Sequence, residues 1–252
     1  AFGEEDHHTP MILNVATDGE TYGHHQKFGN MGLAFALHHI EKHNLAKITI
    51  YAEYLEKHPP YYDAEIFENS AWSCAHGVGR WKEDCGCNSG GKPGWHQKWR
   101  APLRKSLDWL RDQLAGVFES EMAFAFDDPW AVRNDYIKVI LNRQNEKIDE
   151  LLSTSKKKQL TSADRTKILK LLEMQRHCLL MFTSCGWFFD DISGIETIQI
   201  IQYAARAIQL AKDVNEVDYE QEFINMLEPA KSNVRFVKNG KYVYFAHVKD
   251  SV

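Results

Sequence analysis

The sequence predicts an α/β N-terminal part followed by a predominantly α-helical bundle. Three observations carry this. Composition changes near residue 96: residues 1–96 hold 10 of the 12 histidines, most of the glycines and a charge of −6 (7 basic, 13 acidic), against +1 (23 basic, 22 acidic) for residues 97–252. Before that point, short apolar runs alternate with a helical pattern, the spacing of βαβ units and parallel pairing. After it, apolar residues recur every three or four positions over long stretches, as in helices with one buried face. Domains are therefore expected at 1–96 and 97–252, the first bearing loop-borne chemistry and the second serving as scaffold.

The elements follow in order. The run 11–16 (Met-Ile-Leu-Asn-Val-Ala) ends at Thr17-Asp18-Gly19 and reads as a buried strand and its turn. Residues 26–43 form a helix candidate. Residues 47–50 read as a second strand that can run on into a helix at 51–57, stopped by Pro59-Pro60, and residues 65–68 as a third strand. Three parallel strands cannot close a barrel, so an α/β barrel containing them would need strands from elsewhere. From Pro102 onward, Leu103, Leu107, Leu110, Leu114 and Val117 mark one helix face. Further helices are expected at 128–143, 162–182, 195–212 and 219–227, with an exposed loop at 153–161. Cys178 and Cys185, seven apart, are expected on one packed helical face. The end, 234–245, carries an Asn239-Gly240 hairpin signal between β-prone runs.

Composition excludes some functions. The 252 residues carry a net charge of −5, with no basic run beyond residues 156–158, which argues against nucleic-acid binding. No run approaches the ~18 apolar residues of a membrane span. The chain opens Ala1-Phe2-Gly3 without a basic, then apolar, leader. The acidic, histidine-bearing stretch 4–8 is expected to be a flexible end. Five cysteines, an odd and low count, fit a reducing compartment and a cytoplasmic location.

Four runs carry chemistry. The first is Asp18-Gly19-Glu20-Thr21-Tyr22-Gly23-His24-His25. Groups just past a strand's C-terminal end face the site in α/β folds. Asp18 and Glu20 point the same way only in extended backbone. One could then give a proton while the other orients it or shifts its pKa. The same residues also suit a helix start, with Asp18 as cap and Glu20 in the first turn.

The second run, Trp72-Ser73-Cys74-Ala75-His76-Gly77-Val78-Gly79-Arg80-Trp81, suits stacking on a sugar or ring, or a glycine-rich loop with packed tryptophans. Third, Cys74-x-His76 and Cys85-Gly86-Cys87 place four soft ligands within fourteen residues, enough for a structural zinc. Their spacing departs from the usual C-x-x-C knuckle, and a disulfide from Cys74 to Cys85 or Cys87, or buried thiols, would use the same residues. The fourth run, 183–196, breaks two helices with Gly186, Trp187, Phe188, Phe189, Asp190 and Asp191. It could reach over a neighbouring site, or be an interhelical turn capped by Asp191 or Ser193.

The run Val15-Ala16-Thr17-Asp18-Gly19-Glu20-Thr21-Tyr22-Gly23 resembles the fourth signature region of glycoside hydrolase family 57, and Trp72 to Gly77, ending Cys-Ala-His-Gly, resembles its fifth. The 182–191 stretch resembles the aromatic helix break that the helical domain brings toward the active site in related enzymes. Nearly the whole chain is similar to the C-terminal part of an α-amylase- or α-mannosidase-like subgroup. The resemblance implies the end of a parallel α/β barrel-like sheet before the bundle. It implies that Asp18 is the general acid/base of a retaining hydrolase or α-glucan transferase. Glu20, His24, His76, Trp81, Trp187, Asp190 and Asp191 would contact sugar. The nucleophile glutamate would lie in an upstream part of the same polypeptide. No metal or organic cofactor is required by that chemistry. One departure stands out: Cys74-Ala75 replaces the family's Tyr-Trp before His-Gly. A second reading is therefore a non-catalytic carbohydrate-binding or scaffold module with Cys74, His76, Cys85 and Cys87 as a structural metal clip.

Overall fold

The computed structural model describes residues 11–252, and the stretch 4–8 lies outside them. The chain divides into two compact units, Ala1–Phe67 and Glu68–Val252.

In the first unit, residues 11–18 are irregular and lead to a turn closed by the Thr21 N–H on the Asp18 carbonyl at 3.0 Å. Gly23, at φ 101, lets the chain double back. An isolated bridge joins Tyr22 to Gln26. Helix α1 (Gly29–Lys42) starts three residues later than expected, since Phe28 takes a left-handed conformation at its N-cap. Helix α2 (Tyr51–Lys57) follows residue Ile50, whose backbone is extended. Among the described residues no strand forms, which corrects the α/β expectation for this chain. A strand is held by a neighbour's ladder of hydrogen bonds, and among the described residues the β-bridges are isolated ones, Tyr22 with Gln26 and Lys231 with Asn239, outside the runs 11–16, 47–50 and 65–68. Met11, Leu13, Val15, Ile50, Ile66 and Phe67 are exposed, and neither helix buries a residue.

The second unit is the helical bundle. A 3₁₀ turn (Gly79–Trp81) lies in the loop that precedes α3 (Arg100–Met122). The expected stripe is the buried face of α3: Leu103, Leu107, Leu110 and Leu114 are fully buried and Val117 nearly so. The helix expected at 128–143 is two short ones, α4 (Pro129–Asp135) and α5 (Ile137–Leu141), hinged at Tyr136. Asp128 caps α4, whose first turn opens on Pro129, a proline-tolerant position. Helix α6 (Asn145–Leu152) was not anticipated. Helix α7 (Ser162–Leu180) opens with a capping box, Thr161 and Asp164 exchanging side-chain and backbone bonds.

The break after α7 contains the short α8 (Cys185–Phe188), so Cys185 lies outside α7 and is exposed while Cys178 is buried. Helix α9 (Ile195–Asn215) packs along α7, and both pack on α3. Helix α10 (Glu220–Leu227) lies on α3. The expected hairpin at 234–245 is instead α11 (Gly240–Val243) running into a π turn (Tyr244–Val248). Asn239 Oδ1 accepts the Tyr242 N–H at 3.0 Å, so the Asn-Gly pair begins a helix rather than a β-turn. Among the described residues no helix is long and apolar enough to cross a membrane.

Candidate metal centre

The loop 68–99 brings Cys74, His76, Cys85 and Cys87 together, with all four ligand atoms within 4.8 Å of one another. Cys74 Sγ lies 3.9 Å from Cys85 Sγ and 3.7 Å from Cys87 Sγ, and Cys87 Sγ lies 3.5 Å from His76 Nδ1. Thiolates about 2.3 Å from one tetrahedral centre stand about 3.8 Å apart, and a thiolate and an imidazole nitrogen about 3.6 Å. The observed separations fit that figure and are far too long for a disulfide. All three cysteines are free thiols. This group could bind a metal, with the ligand set of a structural Cys₃His zinc site.

Local backbone makes the tight spacing workable. Gly86, between two ligands, sits at φ 83 with open space around it, so its role is conformational. Gly77 follows His76 at φ 69, and a Cβ there would run into the Asn69 carbonyl. A Cβ on Gly79 would lie 3.0 Å from the Cys85 Cβ.

Electrostatics support an anionic centre. Burial opposes ionisation of Cys74, but the N–H groups of Arg80 and His76 and the thiols of Cys87 and Cys85 outweigh it and bring the thiol down to about 6. Burial and the neighbouring Cys74 and Cys87 push Cys85 up. Arg80 and Arg100 are buried, at 5% and 0% exposure. Their hydrogen bonds go to backbone carbonyls rather than carboxylates. Arg80 Nη2 donates to the Asn88 carbonyl at 3.1 Å, and Arg100 donates to those of Cys87 (2.8 Å) and Phe189 (3.3 Å). Arg80 Nε and Nη1 and Arg100 Nε have no partner. Buried guanidinium charge needs a nearby countercharge. Asp190, Asp84 and Cys85 already act on Arg100 electrostatically, and three thiolates with a neutral imidazole around a divalent ion would add a net −1.

The fourth run fastens this loop. Asp190 Oδ1 accepts the Ser89 N–H at 2.9 Å and Oδ2 the Ser89 hydroxyl at 3.1 Å. The ring of Phe188 lies 4.2 Å under the Arg80 guanidinium. Asp191 accepts from the Ser193 N–H and hydroxyl, the Ser232 hydroxyl and the Asn233 N–H. Asn233 Nδ2 donates to the carbonyls of His96 and Asp190. Trp81 Nε1 donates to the Ser184 carbonyl. Trp187 is 1% exposed and stacks on Phe182 with centroids 6.2 Å apart. Trp187, Asp190 and Asp191 are thus buried, the two carboxylates bonded to the loop and turn around them and the Trp187 indole N–H without a hydrogen-bond partner.

In the other unit, Asp18, Glu20 and His24 are exposed. Asp18 does not cap a helix: α1 begins eleven residues later and has no acidic residue in its first turn. Sequence reasoning placed Arg80 in the second run but missed Arg100, Ser89 and Asn233. For Arg100 a signal existed, because it lies three positions before Leu103 on the buried stripe.

Residues 95–252 match the family described as domain of unknown function (DUF3536). That is more than half of the chain. The chain belongs to this family. No curated protein and no solved structure matches it. The DUF3536 region holds Arg100, Asp190 and Asn233, while the four ligands lie just before it. In this chain the matched region therefore holds the Cys/His loop, through Asp190 on Ser89 and Arg100 on the Cys87 carbonyl.

Proposed function

We propose that the chain is a metal-clamped helical module of a glycan-active protein related to glycoside hydrolase family 57. In this reading zinc, held by Cys74, His76, Cys85 and Cys87, supplies structure and no chemistry. One observation carries the metal half: four ligand atoms within 4.8 Å of one another, three of their separations at the spacing of a tetrahedral site, beside buried Arg80 and Arg100, whose side-chain hydrogen bonds go to carbonyls only. It also accounts for the departure from the family's fifth region. Cys74 stands where that region has an aromatic residue, and His76 turns Nδ1 toward Cys87, leaving its outer edge for a sugar hydroxyl. A reducing, cytoplasmic setting keeps the thiols available to metal.

The glycan half rests on the Asp18 and His76 motifs. Asp18 would protonate the glycosidic oxygen of an oligo- or polysaccharide, an α-glucan in the first instance. It would then act as base for water or an acceptor sugar, while a glutamate from an upstream part of the polypeptide attacks the anomeric carbon. Glu20 and His24 would orient the sugar or the acid. The exposed apolar side chains of the runs 11–16 and 47–50 support this, because they are available to pack against an upstream part.

Two assays separate the halves. Elemental analysis of the purified chain is expected to give one zinc, lost in Cys85→Ser. Metal-free wild type defeats the clamp. A longer polypeptide including the upstream part is expected to cleave aryl α-glucosides or α-glucans, and Asp18→Asn to lose that activity at least a hundredfold, the usual scale for a general acid. Full activity in Asp18→Asn defeats the catalytic half while leaving the clamp standing.

A further inference from the structure

A second feature of the helical unit lies outside the metal loop. Between α3, α4 and the end of α7 is a cleft of about 260 Å³. Three guanidiniums converge on it and lie over aromatic rings. Arg104 is 4.9 Å and Arg111 5.7 Å from the Phe182 centroid, and Arg133 is 5.7 Å from that of Trp130. Asp112 is the one carboxylate in the lining, and Asp108 beside it pairs with Arg104 and Arg111, so three positive charges stand against two negative. The rest of the lining is largely neutral: Ala115 and the exposed Leu179 contribute carbon, and burial pushes the Cys178 thiol up to about 12.

The arginines are not equally engaged. Asp108 takes Arg104 Nε and Arg111 Nη1, and Asp112 takes Arg111 Nε, so these two are braced in place. Arg133 makes a side-chain bond to Asn134 Oδ1 and has no carboxylate partner among the described residues. A braced pair of cations opposite an uncommitted one, over apolar and aromatic surface, matches an anionic group carried on a ring. Guanidinium forks bind carboxylate or phosphate edge-on, and the rings of Phe182 and Trp130 offer flat surface to the rest of the ligand.

We propose that this cleft is a binding site for a small organic anion, a carboxylate or phosphate borne on a ring-sized body. The volume admits one such ring and not a polymer. The inference does not depend on the glycan reading, since the cleft uses neither Asp18 nor the metal ligands.

The test is calorimetric titration of the full chain at low salt. Benzoate and glucose 6-phosphate serve as carboxylate and phosphate probes, and glucose as a neutral control. At least one of the two anions is expected to bind with a Kd below about 10 mM, more tightly than glucose, and the stronger one identifies the source of the charge. Arg133→Gln, at a half-buried rim position, is expected to weaken binding about tenfold without changing thermal unfolding. Lys105→Gln, exposed on α3, is expected to leave it unchanged. If Arg133→Gln unfolds more easily, Arg104→Gln is titrated instead, with the same expected loss. Failure of both anions to bind overturns the site. So does equal binding of glucose, or an affinity that neither arginine variant alters. None of these outcomes touches the hydrolase reading, which the Asp18 assay decides.

Discussion

At the scale of single residues, the centre depends on groups one step behind the ligands. Asp190 holds Ser89, two residues beyond Cys87, by two hydrogen bonds. Such supporting groups set ligand orientation, and their loss usually weakens metal binding about 10–100-fold. Asp190→Ala is expected to fall in that range by chelator competition; wild-type affinity would show that the loop holds its own shape. Gly77→Ala is expected to disrupt the loop because its new methyl meets backbone, which cannot swing aside. Its readout is loss of bound zinc, and full retention would contradict the loop geometry. The residue types of the centre were legible in the sequence, since three cysteines and a histidine cluster there. All four ligands were named from the sequence, and what spoke against them was spacing: Cys-Gly-Cys looks too tight until Gly86 adopts a positive φ. For the pair Asp190-Asp191 the sequence left a site role and an interhelical turn capped by Asp191 both open, because a sequence does not show which carboxylates are spent on backbone N–H groups.

At the scale of elements, caps decide where helices begin. Thr161 and Asp164 form the capping box of α7, and Thr161→Ala is expected to cost about 1 kcal/mol in urea unfolding. No change would mean that α7 is held by packing alone. The same helix carries a half-buried histidine, His177, whose Nδ1 has no partner. Burial lowers its pKa, with Arg176 and Arg206 adding to this and Glu173 opposing. The folded pKa is below the unfolded value of about 6.5, so the unfolded chain binds more protons between the two. The stability from neutral His177 is therefore complete above about pH 6.5 and is lost as pH falls from there through the folded pKa. His177→Leu is expected to flatten that slope, and a slope unchanged from wild type would contradict it. The long stripe of α3 was readable because burial repeats every third or fourth residue. The C-terminal hairpin misled because Asn-Gly serves a β-turn and a helix cap alike, and the packing of Gly240 against the Leu227 carbonyl chooses the helix.

At the scale of the whole chain, the units differ in what holds them. The second has a continuous core from Trp99 to Val248, whereas α1 and α2 of the first bury nothing. Limited proteolysis is expected to remove residues before 68 quickly and to leave a resistant fragment containing the cysteine loop and bundle. Equal resistance of both units would contradict this. The short apolar runs of the first unit were legible as strands by pattern, but a strand is a property of a pair. Pattern alone does not provide the neighbour.

The account centres on a tetrahedral metal site of three sulfurs and one nitrogen. Zinc K-edge X-ray absorption on the chain as purified addresses it most directly. The expected first shell is three sulfurs at about 2.3 Å and one nitrogen at about 2.0 Å. A shell of oxygen and nitrogen alone, or no zinc edge at all, would contradict it.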